Sequence, residues 1–323
     1  MRKESIKILT GGQGHYELNG VIWLPDSQPV TKIIHVVHGM TEHIGRYERF
    51  AKIMTDIGVS VAGFDLRGHG KNFATSCPDV ASFISGAQPD IQDYGWNAVI
   101  YDIQKENIKL QQMFPTADLY MMGFSLGSFL VRDYMHMIPM HAIKGVILMG
   151  TGYQPTCITA LMKHIIRMEI RKVNPGETTD LTRKLSFDNY NKKFKPNRTR
   201  ADWLCSDDTE LNAYLNDPLC RKDISADLFY ELICSMERTA KTTAFIGNHI
   251  DISNMPVLLI SGEHDAVGNM GKAVGKLKKR MLNAGMTNID ATIIPNARHD
   301  ILHEYHNGAS TCVIAKIINW RDV

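Results

Sequence analysis

No stretch of this 323-residue chain approaches the run of about 18 apolar residues that a membrane-spanning helix needs. The amino terminus, Met-Arg-Lys-Glu-Ser-Ile-Lys-Ile-Leu-Thr, lacks the apolar core of a secretory signal. The six cysteines, at 77, 157, 205, 220, 234 and 312, form no Cys-x-x-Cys pair. A disulfide framework is unusual at this length without a signal, so reduced thiols in a cytoplasmic protein are expected. Neither sign of charge dominates: 36 basic side chains meet 34 acidic ones, for a net charge of +2. That balance gives no reason to expect nucleic acid as a partner. No low-complexity tract or internal repeat is visible. The length suits one large domain, or a core domain carrying an insertion.

Short apolar runs alternate with helical patterns along most of the chain. The runs are Ile33 to Val37, Val59 to Phe64, Leu119 to Met122, Val146 to Met149, Val257 to Ile260 and Ala291 to Ile294. Their brevity and lack of alternation suit strands buried on both faces of a mainly parallel sheet. The first thirty residues differ. Ile6 to Leu9, Gly11-Gly12 and Tyr16 to Trp23 predict an antiparallel hairpin at the sheet edge.

Residues 151 to 250 hold no good strand candidate and are too many for a plain connection. They are read as a helical cap inserted into a core formed by 1–150 and 251–323. Ile158, Leu161, Met162, Ile165 and Ile166 share one helical face there. Charge is uneven: residues 163–200 carry 11 Lys/Arg against 4 Asp/Glu, and residues 201–240 carry 3 against 9. The two halves either neutralise each other, or the basic half faces an anionic group or lipid surface.

Gly123-Phe124-Ser125-Leu126-Gly127 follows one predicted strand directly and opens a helical pattern through Phe129, Leu130 and Tyr134. Strand, sharp turn and helix form the setting of a nucleophile elbow. The serine must project from a tight turn, so its neighbours Gly123 and Gly127 must be small. This reading makes the chain an α/β protein of the α/β-hydrolase fold, with a mostly parallel central sheet, helices on both faces and an inserted helical cap. A serine needs a histidine base, itself oriented by a carboxylate. In this fold the order is Ser, acid, His. Asp265, just beyond Val257 to Ile260, is the predicted acid, with Glu263 as competitor. His299, beyond Ala291 to Ile294, is the predicted base, with His303 and His306 as alternatives. His299 and His303 could also form a His-x-x-x-His metal pair, but residue 300 is Asp where the zinc-protease motif has Glu. That reading leaves the elbow unexplained, and no metal or cofactor is expected. The backbone N–H groups of Leu126 and Met40 are the predicted oxyanion donors. His38 is read as a structural residue of its turn, and Asp65 with Arg67 as an internal ion pair.

At these residues the sequence resembles the monoacylglycerol lipase and lysophospholipase-like branch of the α/β-hydrolases. His38 to Tyr47 resembles its oxyanion loop, and Phe64 to Gly70 the loop after its next strand. Asp202 to Asp207 and Asn216 to Cys220 resemble cap segments of its bacterial members. Two positions depart from the pattern. Phe124 stands where the family often has His, and Ser128 where it often has a second Gly. The resemblance implies hydrolysis of carboxylic esters, of a monoacylglycerol, lysophospholipid or similar single-chain lipid. An amide, thioester or peptide cut by the same triad remains an alternative, as does a non-catalytic binding member of the fold. Phe124, Ile158, Met162 and Ile165 are the expected pocket residues, and the cap is expected to touch membrane surfaces transiently.

Overall fold

A computed structural model of the protein describes residues 1–10, 16–26, 29–72, 79–83, 95–140, 142–241 and 252–320. Eight strands form the central sheet: β1 (Arg2–Thr10), β2 (Tyr16–Leu24), β3 (Lys32–Val37), β4 (Ser60–Phe64), β5 (Asp118–Phe124), β6 (Ile143–Met149), β7 (Val257–Gly262) and β8 (Ile289–Ile294). Their spatial order is β1-β2-β4-β3-β5-β6-β7-β8. The β1–β2 hairpin pairs antiparallel, from Arg2 opposite Leu24 to Thr10 opposite Tyr16, and β2 meets β4 antiparallel. All later pairings are parallel. Gly11-Gly12, expected to turn this hairpin, lies outside the described residues.

The central strands are buried end to end because both faces are covered. Successive residues feed opposite cores. Ile33 and Val37 of β3, with Val257 and Leu259 of β7, join one apolar cluster. Ile34, Val36, Leu258 and Ile260 join the other. Helices α1 (Glu48–Asp56), α2 (Gly95–Met113), α3 (Leu126–Met137) and α7 (Lys272–Asn283) connect the strands, and α8 (Ala309–Ile318) follows the last of them. The connection from β6 to β7 carries α4 (Thr156–Ile170), short helical turns through 180–194, α5 (Asp208–Asn216) and α6 (Ala226–Lys241).

One element in this connection left no periodic signal. Asp223–Ile224 pairs in parallel with Val80–Ala81, stitching it to a core loop. Ion pairs join its basic and acidic halves: Lys163 with Glu237, Arg183 with Asp223 at 3.0 Å and Arg198 with Asp208 at 3.0 Å. Mutual neutralisation thus accounts for part of the uneven charge. No helix among the described residues is long and apolar enough to cross a membrane. Cys157, Cys205, Cys220, Cys234 and Cys312 are free thiols, while Cys77 lies outside the described residues.

Candidate active site

The elbow forms where β5 gives way to α3. Ser125 sits between them at φ 50, ψ −115, a conformation L-residues rarely adopt. Four hydrogen bonds hold its backbone, one of them a long contact of 3.4 Å from Phe129 N–H to Ser125 O. Ser125 N–H donates to Met149 O at 2.9 Å, and Ser125 O accepts from Ser128 N at 2.9 Å and Ser128 Oγ at 2.6 Å. Ser128 thus adds a bond to the turn that a glycine would lack. The flanking glycines are required by close approach. A Cβ at Gly123 would lie 2.6 Å from Gly127 O, and one at Gly127 would lie 2.0 Å from Val37 O. Both contacts are with backbone, which cannot swing aside. Gly127→Ala is therefore expected to push α3 off β3 and abolish soluble expression or lower Tm by more than about 10 °C, the range of a several-kcal/mol core clash. Thermal denaturation of the variant checks this.

Three side chains converge on the elbow. His299, in the loop after β8, places Nε2 2.8 Å from Ser125 Oγ and Nδ1 2.8 Å from Asp265 Oδ1. Asp265, in the loop after β7, is fully buried yet well satisfied. Its Oδ1 also accepts N–H groups of Val267 at 2.9 Å and Gly268 at 3.1 Å, and its Oδ2 accepts Ser261 Oγ at 3.0 Å. Phe124 and Trp203 flank the imidazole, with ring centroids 5.0 and 5.1 Å away. The alternatives are occupied elsewhere. Glu263 is exposed and accepts Asn296 N–H at 3.1 Å. His303 bonds Asp300 Oδ1 at 2.7 Å and donates to Arg46 O at 3.2 Å. His306 is half exposed beside Asp207. His299 and His303 therefore address different partners and share no ligand position.

The loop after β3 supplies a backbone donor. His38 Nε2 accepts Leu66 N–H at 2.9 Å, so its proton sits on Nδ1, which donates to Gly39 O at 2.8 Å. That carbonyl belongs to the peptide whose N–H is Met40's. In a trans peptide the two groups point opposite ways, so His38 aims the Met40 N–H outward. Met40 lines the same cavity as Ser125, and among the described residues no protein acceptor takes its N–H. Glu42 steadies the loop, accepting Gly39 N–H at 2.6 Å and Tyr47 O–H at 2.8 Å. The Leu126 N–H, first in α3, has no intrahelical acceptor and lies at the positive end of the helix dipole.

Burial keeps His38 and its neighbour His69 neutral. It lowers the pKa of both, to about 3 for His69, from the ordinary imidazole value of 6.5. The unfolded chain takes up protons near pH 6.5 that the folded chain refuses. Stability contributed by these imidazoles is thus full above pH 6.5 and is lost as pH falls toward 3 for His69, at up to about 1.4 kcal/mol per pH unit per residue. Urea midpoints at pH 7, 6 and 5 should fall in that order, and His69→Gln should flatten the profile.

Two expectations are corrected by contacts between distant segments. Arg67 does not pair with Asp65. It bonds Asp102 on α2, Nε to Oδ2 at 2.5 Å and Nη2 to Oδ1 at 2.9 Å. Asp65 instead accepts the N–H groups of Ile44 at 2.9 Å and Lys71 at 2.8 Å. The cavity over Ser125 includes Phe124 but not Ile158, Met162 or Ile165. Ile158 is 43% exposed, and Met162 packs against the main apolar cluster. From the β6–β7 connection the cavity is lined instead by residues that include Phe187, Tyr190, Trp203, Leu204 and Tyr214, between α4 and α6, and Phe229, Leu232 and Met236 on α6. The aromatics in an otherwise charged segment were the available sequence signal.

Strand order, elbow and loop positions define the α/β-hydrolase fold. The chain belongs to the family described as Serine aminopeptidase, S33, whose model matches residues 28–306, a span that includes Ser125, Asp265 and His299. It is similar to monoglyceride lipase of Mus musculus, 19% identical over 305 residues, covering 91% of this chain and 86% of that one. A monoglyceride lipase homolog of Monkeypox virus is 24% identical over 106 residues, and the match spans only a third of that protein's length. Among solved structures, a thermostable carboxyl esterase from Bacillus coagulans in complex with glycerol matches with a TM-score of 0.80 at 21% identity, covering 99% of both chains.

Proposed function

We propose that the protein is a serine hydrolase of carboxylic esters, acting through Ser125, His299 and Asp265 by way of an acyl-enzyme. The observation that carries this reading is the continuous chain from Ser125 Oγ through His299 to the buried Asp265. His299 Nε2 takes the Ser125 proton as Oγ attacks the ester carbonyl. Asp265 balances the imidazolium charge that appears. The N–H groups of Met40 and Leu126 receive the oxyanion, which lacks any other donor in this scheme. The alcohol leaves with the proton from His299. Water, activated by the same imidazole, then frees the acid and restores Ser125.

We further propose that residues 151–250 act as the cap of this site and that the substrate is a single-chain lipid such as a monoacylglycerol or lysophospholipid. The apolar lining of Leu126, Phe129, Phe229, Leu232, Met236 and Val267 supports an acyl chain, as do the names of the lipase and esterase relatives. Ile158, Leu161 and Met168 of α4 are exposed, which supports transient contact of the cap with a lipid surface. The family's description favours a second reading, aminopeptidase action. That reaction needs a free carboxylate to hold the substrate ammonium. Among the described cavity residues the carboxylate is Glu42, which is engaged by Arg46, Tyr47 and Gly39 N–H.

A panel of p-nitrophenyl esters, monoacylglycerols, lysophospholipids and amino-acyl amides, with acyl chains of two to eighteen carbons, tests the reading. Esters of long chains should have kcat/KM at least about tenfold above esters of two-carbon chains and above amino-acyl amides that bring no acyl chain to the cavity, since each buried methylene favours binding by about 0.8 kcal/mol. Preference for an amide bearing a free amino group would sink it.

A further inference from the structure

The residue beside the Met40 donor stands in a conformation that disfavours it. Thr41 has φ 63, in the left-handed region, where β-branched residues are rare outliers. Such a turn persists only when its surroundings over-determine it. Those surroundings come from the segment 214–221, the last turn of α5 and the stretch that follows it. Thr41 Oγ1 donates to Met40 O at 2.5 Å and so accepts the Tyr214 hydroxyl at 2.8 Å. Arg221 N–H donates to Thr41 O at 2.8 Å. His43, whose Nδ1 accepts Gly45 N–H, turns Nε2–H onto Asp217 at 2.8 Å. Arg221 in turn anchors the segment to the core through Gly70 O at 2.9 Å.

The two peptides around Met40 are thus held from opposite sides. His38 fixes the Gly39–Met40 peptide from the core. Tyr214, through Thr41, fixes the Met40–Thr41 peptide from the segment above. We infer that Thr41 and Tyr214 are positioning residues that hold the oxyanion donor in place, so that the oxyanion hole is complete only while the 214–221 segment is seated on the loop. This rests on the proposed esterase reading and on Met40 as a donor. Tyr214 suits the part chemically, since burial raises its phenol pKa and keeps the hydroxyl a neutral donor.

The test separates the hydroxyl from the strain. Thr41→Ala removes the hydroxyl but keeps a side chain in the left-handed region. Thr41→Gly removes both, leaving a turn that no longer needs holding. Thr41→Ser keeps the hydroxyl. On a short p-nitrophenyl ester, Thr41→Ala should lower kcat about tenfold with KM little changed, less than the roughly 10²- to 10³-fold loss of a whole oxyanion donor. Thr41→Ser and Thr41→Gly should each stay within about threefold of wild type. Tyr214→Phe should cost about tenfold in the wild type but no more than about twofold in the Thr41→Gly background, a coupling that a merely additive structural effect does not produce. Equal losses for Thr41→Ala and Thr41→Gly, or the same Tyr214→Phe factor in both backgrounds, would overturn the inference. If Thr41→Ala does not fold, the Tyr214→Phe comparison decides. Ser125→Ala on the same ester is the control: retained activity there defeats the esterase reading itself, whereas its loss alongside an unaffected Thr41→Ala defeats this inference alone.

Discussion

Ser125→Ala is expected to lower kcat by about 10⁴- to 10⁶-fold with little change in KM or folding. The size follows from what the methyl group cannot do. Without Oγ there is no attacking atom at the elbow, and water must reach the carbonyl without the oriented transfer to His299. The other parts stay in place. Ser125 N–H still bonds Met149 O, and the turn still accepts both donors of Ser128. The oxyanion donors and the apolar lining are untouched, so binding should survive. A matched pair of measurements checks this: steady-state hydrolysis of a p-nitrophenyl ester, and thermal denaturation showing an unchanged Tm. Activity within about tenfold of wild type would mean that another nucleophile does the work.

Asp265→Asn is expected to lower kcat by about 10⁴-fold, the scale seen when a triad carboxylate becomes an amide. The reason lies in the donors around it. Asp265 Oδ1 receives three N–H groups, from His299, Val267 and Gly268, while Oδ2 receives Ser261 Oγ–H. An amide has only one acceptor oxygen. With that oxygen in the Oδ1 place, the NH2 group meets Ser261 and the His299 imidazolium goes unbalanced. With the amide reversed, its NH2 confronts three N–H donors. Either way the imidazole loses its tautomer control or its counter-charge. The same variant should also label slowly with a fluorophosphonate, because the defect lies in activating Ser125. Normal labelling at lost turnover would move the role of Asp265 to deacylation alone.

The elbow was legible because it is local. Gly123, Ser125 and Gly127 are neighbours in sequence, and the steric demand they meet is set within five residues. Asp265 and His299 were legible because each follows a short apolar run whose end delivers the next residues to one edge of the sheet. The partner of Arg67 was not legible. Asp102 lies 35 positions away on α2, and only the packing of that helix brings it in. The cavity lining failed for a related reason. Helical periodicity finds the apolar face of α4 but not what that face meets. Ile166 of α4 is buried, yet Leu161 is 62% exposed, and α6 with the aromatics of 187–214 covers Ser125 instead. Thr41 left no signal at all, because its left-handed φ becomes visible only with Tyr214 and Arg221 in place.

The proposed reaction forms its covalent intermediate on Ser125 Oγ. The most direct measurement is to treat the active protein with a fluorophosphonate, digest it, and locate the adduct by mass spectrometry. The expected result is one phosphonyl group on the peptide containing Ser125, loss of esterase activity in step with its formation, and no adduct in Ser125→Ala. An adduct on another residue, or full inhibition with Ser125 unmodified, would contradict it.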